Sequence, residues 1–263
     1  MLQQYLVAIY QWFSTAFIKV LAVWCVACLL TIVWTRWAKM RSRHTHFTSP
    51  GREAMLSLLV MVAILPLLFI ANTVIERTED ASLIVRFLVQ TLAQVLIASP
   101  AMVTLMVRRQ GAVTVGLSGH DLPKLFWLGA CLSMVTVLLF AVIPMPGGPS
   151  SVQDEPLTVQ RCLYLVAVFA VSALGHEFIY RGYLQTRLMA WGGEVKGLLV
   201  SSLVYALWHL PRFLGVYNRL TILVQIIGLF VLGLVLGEIR RRSGSIIPSA
   251  FFHAASDSAL TLW

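Results

Sequence analysis

The chain has 263 residues, of which 59% are hydrophobic and 12% charged, against about 45–50% apolar and about 25% charged in an ordinary soluble domain. A mean hydropathy of +0.82 puts it in a membrane, and a large soluble catalytic domain is excluded: at about 20 apolar residues per crossing, eight crossings leave only about 100 residues for loops and ends. The net charge of +9 would suggest nucleic-acid binding in a soluble protein; here loop topology explains the basic residues, and no nucleic-acid partner is expected.

Apolar runs bounded by charges or by Pro and Gly predict eight spans near 14–34, 54–75, 82–107, 125–146, 161–180, 197–210, 220–239 and 246–262. The expected fold class is all-α, a polytopic membrane protein forming one domain over 1–263, with N-terminal spans in 1–160 and a motif-bearing part in 161–263. Residues 1–13 either extend the first helix or lie along the interface. The first basic residue is Lys19, so no basic leader precedes the first span, which is expected to be retained. Cys25, Cys28, Cys131 and Cys162 all fall in apolar stretches and are assigned to packing rather than to disulfides. In the third span Arg86, Gln90 and Gln94 form a stripe at i, i+4 and i+8, suited to interfacial or interhelical bonds. In the seventh, Gly233 and Gly237 have the G-x-x-x-G spacing of closely packed helices.

Basic residues divide unevenly between the two sides. One side takes Arg36, Lys39, Arg41, Arg43, Arg52, Arg108, Arg109, Lys124, Arg181, Arg187, Lys196, Arg240, Arg241 and Arg242. The other takes Arg77, Arg161, Arg212 and Arg219, in loops that also hold Glu76, Glu79, Asp80, Asp154 and Glu155. The first side is expected to be cytoplasmic. An even number of spans then puts both termini on the outer side of a bacterial inner membrane.

Ionisable groups within spans are functional candidates by default, because leaving them unpaired in lipid costs several kcal/mol. They concentrate in the last third. His176, Glu177 and Arg181 end the fifth span, Tyr205 and His209 end the sixth, and His253 and Asp257 lie in the eighth. Residues four apart share a helix face, so Glu177 is expected to meet Arg181, and His253 to meet Asp257. A carboxylate and a histidine from different helices can polarise a water for attack on an amide carbonyl, while a second histidine holds the oxyanion. The plainer reading makes the same groups interhelical hydrogen-bond glue.

The three stretches His176-Glu177-Phe178-Ile179-Tyr180-Arg181, Tyr205-Ala206-Leu207-Trp208-His209 and His253-Ala254-Ala255-Ser256-Asp257 resemble the motifs E-E-x-x-x-R, F-x-x-x-H and H-x-x-x-N/D of the CPBP intramembrane peptidases. That family includes the type II CAAX prenyl endopeptidases and abortive-infection relatives. Arg181-Gly182-Tyr183-Leu184-Gln185 and Arg242-Ser243-Gly244-Ser245 match the family's flanking context. The resemblance implies a conical, membrane-embedded cavity and glutamate-dependent hydrolysis of a peptide bond near the cytoplasmic surface, in a peptide or protein substrate that is lipidated or not. It makes His209 the water-activating histidine, His253 and Asp257 the oxyanion pair, and Arg181, with Tyr205, an orienting residue.

Two positions depart from the pattern in ways that bear on chemistry. Asp257 stands where the family also uses Asn, and an anionic Asp repels an oxyanion unless it is protonated or bonded to His253. His176 stands where the water-activating Glu belongs. Adjacent helix positions point about 100° apart, so Glu177 replaces it only with a local rotation. The open alternatives are His176 as base with His209, Glu177 in that role, or loss of hydrolysis, which leaves a peptide-binding or immunity protein. A smaller alternative has His176, His209 and His253 binding zinc, although H-E-x-x-H is absent because position 180 is Tyr; otherwise no cofactor is expected. A transporter is disfavoured, since no internal repeat is evident.

Overall fold

The computed structural model describes residues 2–40, 45–78, 80–117, 121–142, 158–214 and 217–262. Arg41, Arg43, Glu79, Asp154, Glu155 and the end of the fourth predicted span lie outside the described residues, as do the side chains of Lys19, Arg161 and Arg212. The described residues contain helices and no strand. In chain order the helices are α1 (Leu2–Trp37), α2 (Pro50–Glu76), α3 (Leu83–Val107), α4 (Leu122–Val142) and α5 (Val159–Glu177). They continue with α6 (Thr186–Gly192), α7 (Glu194–Trp208), the single turn α8 (Leu210–Phe213), α9 (Arg219–Ser243) and α10 (Ile247–Leu262). Residues 2–13 belong to α1, so the first helix begins well before the predicted span.

Among the described residues six helical stretches are long and apolar enough to cross a membrane. They are Val20–Trp37, α2, α3, α4, Cys162–Gly192 and α9. The predicted sixth and eighth spans coincide with α7 and α10, which have 15 and 16 residues, below the roughly 20 of a full crossing. The outward surface is apolar: Leu29, Phe69, Leu92, Val107 and Leu163 are each more than 60% exposed. In water such a surface would aggregate; in lipid it is the solvated face. The molecule is an integral membrane protein.

Local signals in the sequence account for several helix ends. Pro50 sits in the first turn of α2, where a missing N–H is harmless. The Asn218 side chain caps α9 by accepting from the Thr221 N–H at 2.9 Å. Gly244 ends that helix in the left-handed conformation, at φ 72°.

Helix α10 packs against α4 and α5, α7 packs against α9, and α2 packs against α3. The α7–α9 contact bears out the glycine spacing. A Cβ on Gly233 would lie 3.1 Å from Ser202 Cα, and one on Gly237 only 2.3 Å from Leu198 Cδ1. The stripe on α3 is interhelical as expected: Gln90 donates to Ser172 Oγ on α5 at 2.9 Å, and the Arg86 guanidinium lies 5.5 Å from the Tyr164 ring centre.

The predicted fifth span ends at 180, whereas the helical path runs on to Gly192 through a π-helical stretch, Phe178–Gln185. Nothing in the residue pattern marks it. It follows Glu177 directly, and π turns recur at functional sites. The long path also corrects the charge count, which treated Arg181, Arg187 and Arg240 as loop residues. They are only 1%, 0% and 6% exposed, inside helical segments.

Candidate active site

The π-helical stretch, α7 and α10 bring the three motifs together. Glu177, at the end of α5, is fully buried. Its Oε1 lies 3.1 Å from Nδ1 of His253, and its Oε2 lies 3.7 Å from Nε of Arg181 one turn on. A carboxylate only accepts, so Nδ1 of His253 carries a proton and donates to Glu177. The other ring nitrogen, Nε2, faces the Tyr205 hydroxyl at 3.3 Å and Asp257 Oδ2 at 3.6 Å. The expected i, i+4 pairs are both present.

Arg181 joins these groups. Its guanidinium is 4.3 Å from the Tyr205 ring centre, and Nη2 donates to the main-chain carbonyl of Gly233 at 3.4 Å. A cation over an aromatic face in a dry site is held by the ring's negative quadrupole. Arg181 therefore orients Glu177 and Tyr205 together.

His209 ends α7 and is partly exposed. Its Nδ1 lies 2.8 Å from the main-chain carbonyl of Tyr205. A carbonyl can only accept, so Nδ1 is protonated, and Nε2 is the basic nitrogen of the neutral ring. His176, also partly exposed, sits between the other two histidines. Its ring centre is 6.0 Å from that of His209 and 5.7 Å from that of His253.

His176 and Glu177 thus flank His253 in different ways. Glu177 is closed in by Arg181 and His253, whereas His176 shares the more open side with His209. Although the three rings are close, no group of three or more His, Cys, Asp or Glu among the described residues is placed to hold one metal ion. Both ring nitrogens of His253 are already directed at protein groups.

Two aromatic residues that motif reasoning passed over pack against the site. The Tyr180 ring lies 5.1 Å from Tyr205, 6.0 Å from Trp208 and 6.2 Å from His176. Their spacing was the available signal: Tyr180 is four residues after His176, and Trp208 three after Tyr205, which are same-face intervals on a helix.

Chemically the site offers an imidazole with a basic nitrogen, a second imidazole beside it, and a third held between carboxylates and a phenol. That is equipment for moving a proton and stabilising charge on oxygen. Residues 158–259 match the family model described as type II CAAX prenyl endopeptidase Rce1-like. No curated protein and no solved structure matches the chain. The matched segment holds all three motifs, and over it the chain is similar to the type II CAAX prenyl endopeptidases.

Proposed function

We propose that the protein is an intramembrane endopeptidase that hydrolyses a peptide bond in a membrane-associated peptide or protein. The observation that carries this reading is the convergence of the three motifs on His253: Glu177 at 3.1 Å, Tyr205 at 3.3 Å, and the His176 ring centre at 5.7 Å. In this reading His209 Nε2 takes a proton from the attacking water, which His176 helps to hold. Glu177 orients His253. The doubly protonated His253 presents Nε2–H to the carbonyl oxygen as it becomes negative, and Asp257 steadies the ring. The family likeness favours a C-terminal tail as substrate, and a prenylated cysteine segment is one such tail.

The finer architecture belongs to the same proposal. The chain crosses a bacterial inner membrane eight times, with both termini outside. Helices α7 and α10, of 15 and 16 residues, are then short crossings around which the bilayer thins.

The test compares protein termini by mass spectrometry in cells lacking the gene and in cells complemented with wild type, His209→Ala or a lipid-facing Leu92→Ala control. A terminus that appears with wild type and the control and falls about 1000-fold with His209→Ala is the expected result, within the usual span of general-base effects. A terminus formed equally by His209→Ala sinks the reading.

A second reading, a non-hydrolytic relative that holds a peptide partner, is favoured by one observation: Glu177 is buried against Arg181 and His253, and His176 brings no carboxylate to the open side. His176→Glu separates the two readings. Cleavage that appears only in this variant makes the natural protein a binder.

A further inference from the structure

Two oxygen-bearing side chains meet Nε2 of His253, and they differ in what they can give. The Tyr205 hydroxyl is 3.3 Å away and Asp257 Oδ2 is 3.6 Å away. An ionised carboxylate has no proton to donate, whereas a phenol has one. An oxyanion beside Asp257 would therefore meet a like charge, and beside Tyr205 a donor.

The distances suit a shared ligand. An oxygen about 2.7–3.1 Å from both Tyr205 Oη and His253 Nε2, the range that stabilises a developing oxyanion, completes a near-equilateral triangle on their 3.3 Å separation. The phenol is also fixed in place. Tyr205 is 1% exposed, with Arg181 on its ring face at 4.3 Å and the edge-on ring of Tyr180 at 5.1 Å. A donor held in advance loses no freedom when charge develops.

We propose that the Tyr205 hydroxyl is a catalytic residue of this site, the oxyanion donor paired with His253, supplying the hydrogen bond that Asp257 cannot. The inference rests on the hydrolytic reading above. As the water oxygen bonds to the carbonyl carbon, the C=O π pair moves onto oxygen, and the water proton goes to His209 Nε2. The new oxyanion accepts from Tyr205 O–H and His253 Nε2–H. Tyr205 keeps its proton throughout.

If the donor has moved from position 257 to position 205, removing it from one place and restoring it at the other should cancel. The experiment uses the full chain in vesicles of phosphatidylethanolamine and phosphatidylglycerol. The probe is a quenched fluorescent peptide ending in a prenylated Cys-aliphatic-aliphatic-Met segment. Tyr205→Phe keeps the ring and its packing; kcat should fall about 100-fold with KM unchanged, the usual effect of losing one oxyanion donor. Tyr205→Phe with Asp257→Asn regains an amide donor and should recover most of that loss. The unfolding midpoints of both variants should stay near wild type.

Wild-type turnover in Tyr205→Phe overturns this inference alone. So does a loss that the double variant fails to recover, or one matched by a fall in the unfolding midpoint. No cleavage of the probe by the wild-type chain overturns the hydrolytic reading of that substrate and this inference with it.

Discussion

Two buried glutamates of this protein face arginines, and they are built to opposite ends. Glu53, at the start of α2, is closed on both oxygens: Arg108 Nη2 lies 2.6 Å from Oε1 and Arg187 Nε 3.3 Å from Oε2. Arg187 is itself saturated by the Tyr183 carbonyl at 2.8 Å, by Gln110 and by the Tyr183 ring at 3.9 Å. Glu177 has one arginine, at 3.7 Å, and a histidine on its other oxygen. Its Oε2 and the Arg181 Nε and Nη1 atoms are buried without a hydrogen bond. A buried charge surrounded by strong donors is held in one place, and removing one partner strands the other. A buried charge bonded to an imidazole is placed to follow a proton. The first glutamate ties α2 and α3 to α6; the second joins α5 to His253 of α10 in the candidate site.

The sharpest way to break this contrast is to remove each carboxylate's function separately. Glu53→Ala leaves Arg187 buried and unpaired, and should cost about 3–5 kcal/mol of stability. Thermal unfolding in detergent measures that, while the folded fraction should still cleave at close to the wild-type rate. Next in size comes Glu177→Asp, which keeps the charge opposite Arg181 but draws it back from His253. A misplacement of about 1 Å is worth roughly 100-fold in rate, so kcat should drop by that factor with little change in the unfolding midpoint. A midpoint that falls as far as in Glu53→Ala would erase the distinction between the two sites.

Smaller changes test the scaffold alone. Gly237→Ala forces a Cβ to 2.3 Å from Leu198 Cδ1 and 3.0 Å from Gln185 Oε1; it should destabilise by about 1–3 kcal/mol, as overpacking does. The smallest effect belongs to Gln90→Leu, which breaks one bond to Ser172 and should cost about 0.6 kcal/mol, the average for such bonds in membranes. Neither should change KM.

Most of the site was legible in the sequence, because its residues sit at same-face spacings in segments where polar groups are rare. His176, Glu177, Arg181, Tyr205, His209, His253 and Asp257 all come together. The Glu53 anchor was not legible, for a physical reason. Glu53 follows Arg52 at the edge of an apolar run, where a charge reads as interfacial, while Arg108 and Arg187 read as topological charges. Only the approach of α2 to α6 shows that they share one carboxylate. The span pattern was legible for the long helices and less so for α7 and α10. Apolar character marks a segment that avoids water, not whether lipid or protein surrounds it.

The π-helical stretch Phe178–Gln185 gives one continuous helix two separately phased ends. Glu177 lies on its upstream side and Arg187 beyond it, so the carboxylate of the candidate site and the anchoring guanidinium are set at an angle that a plain α-helix would not give them. The stretch acts as an inserted residue in the helical count. Deleting one residue within it would let the segment close as plain α-helix and would change which side chains between Glu177 and Thr186 face α7 and α10. The turn count of a single helix, rather than any one contact, thus sets the candidate site and the anchor relative to each other.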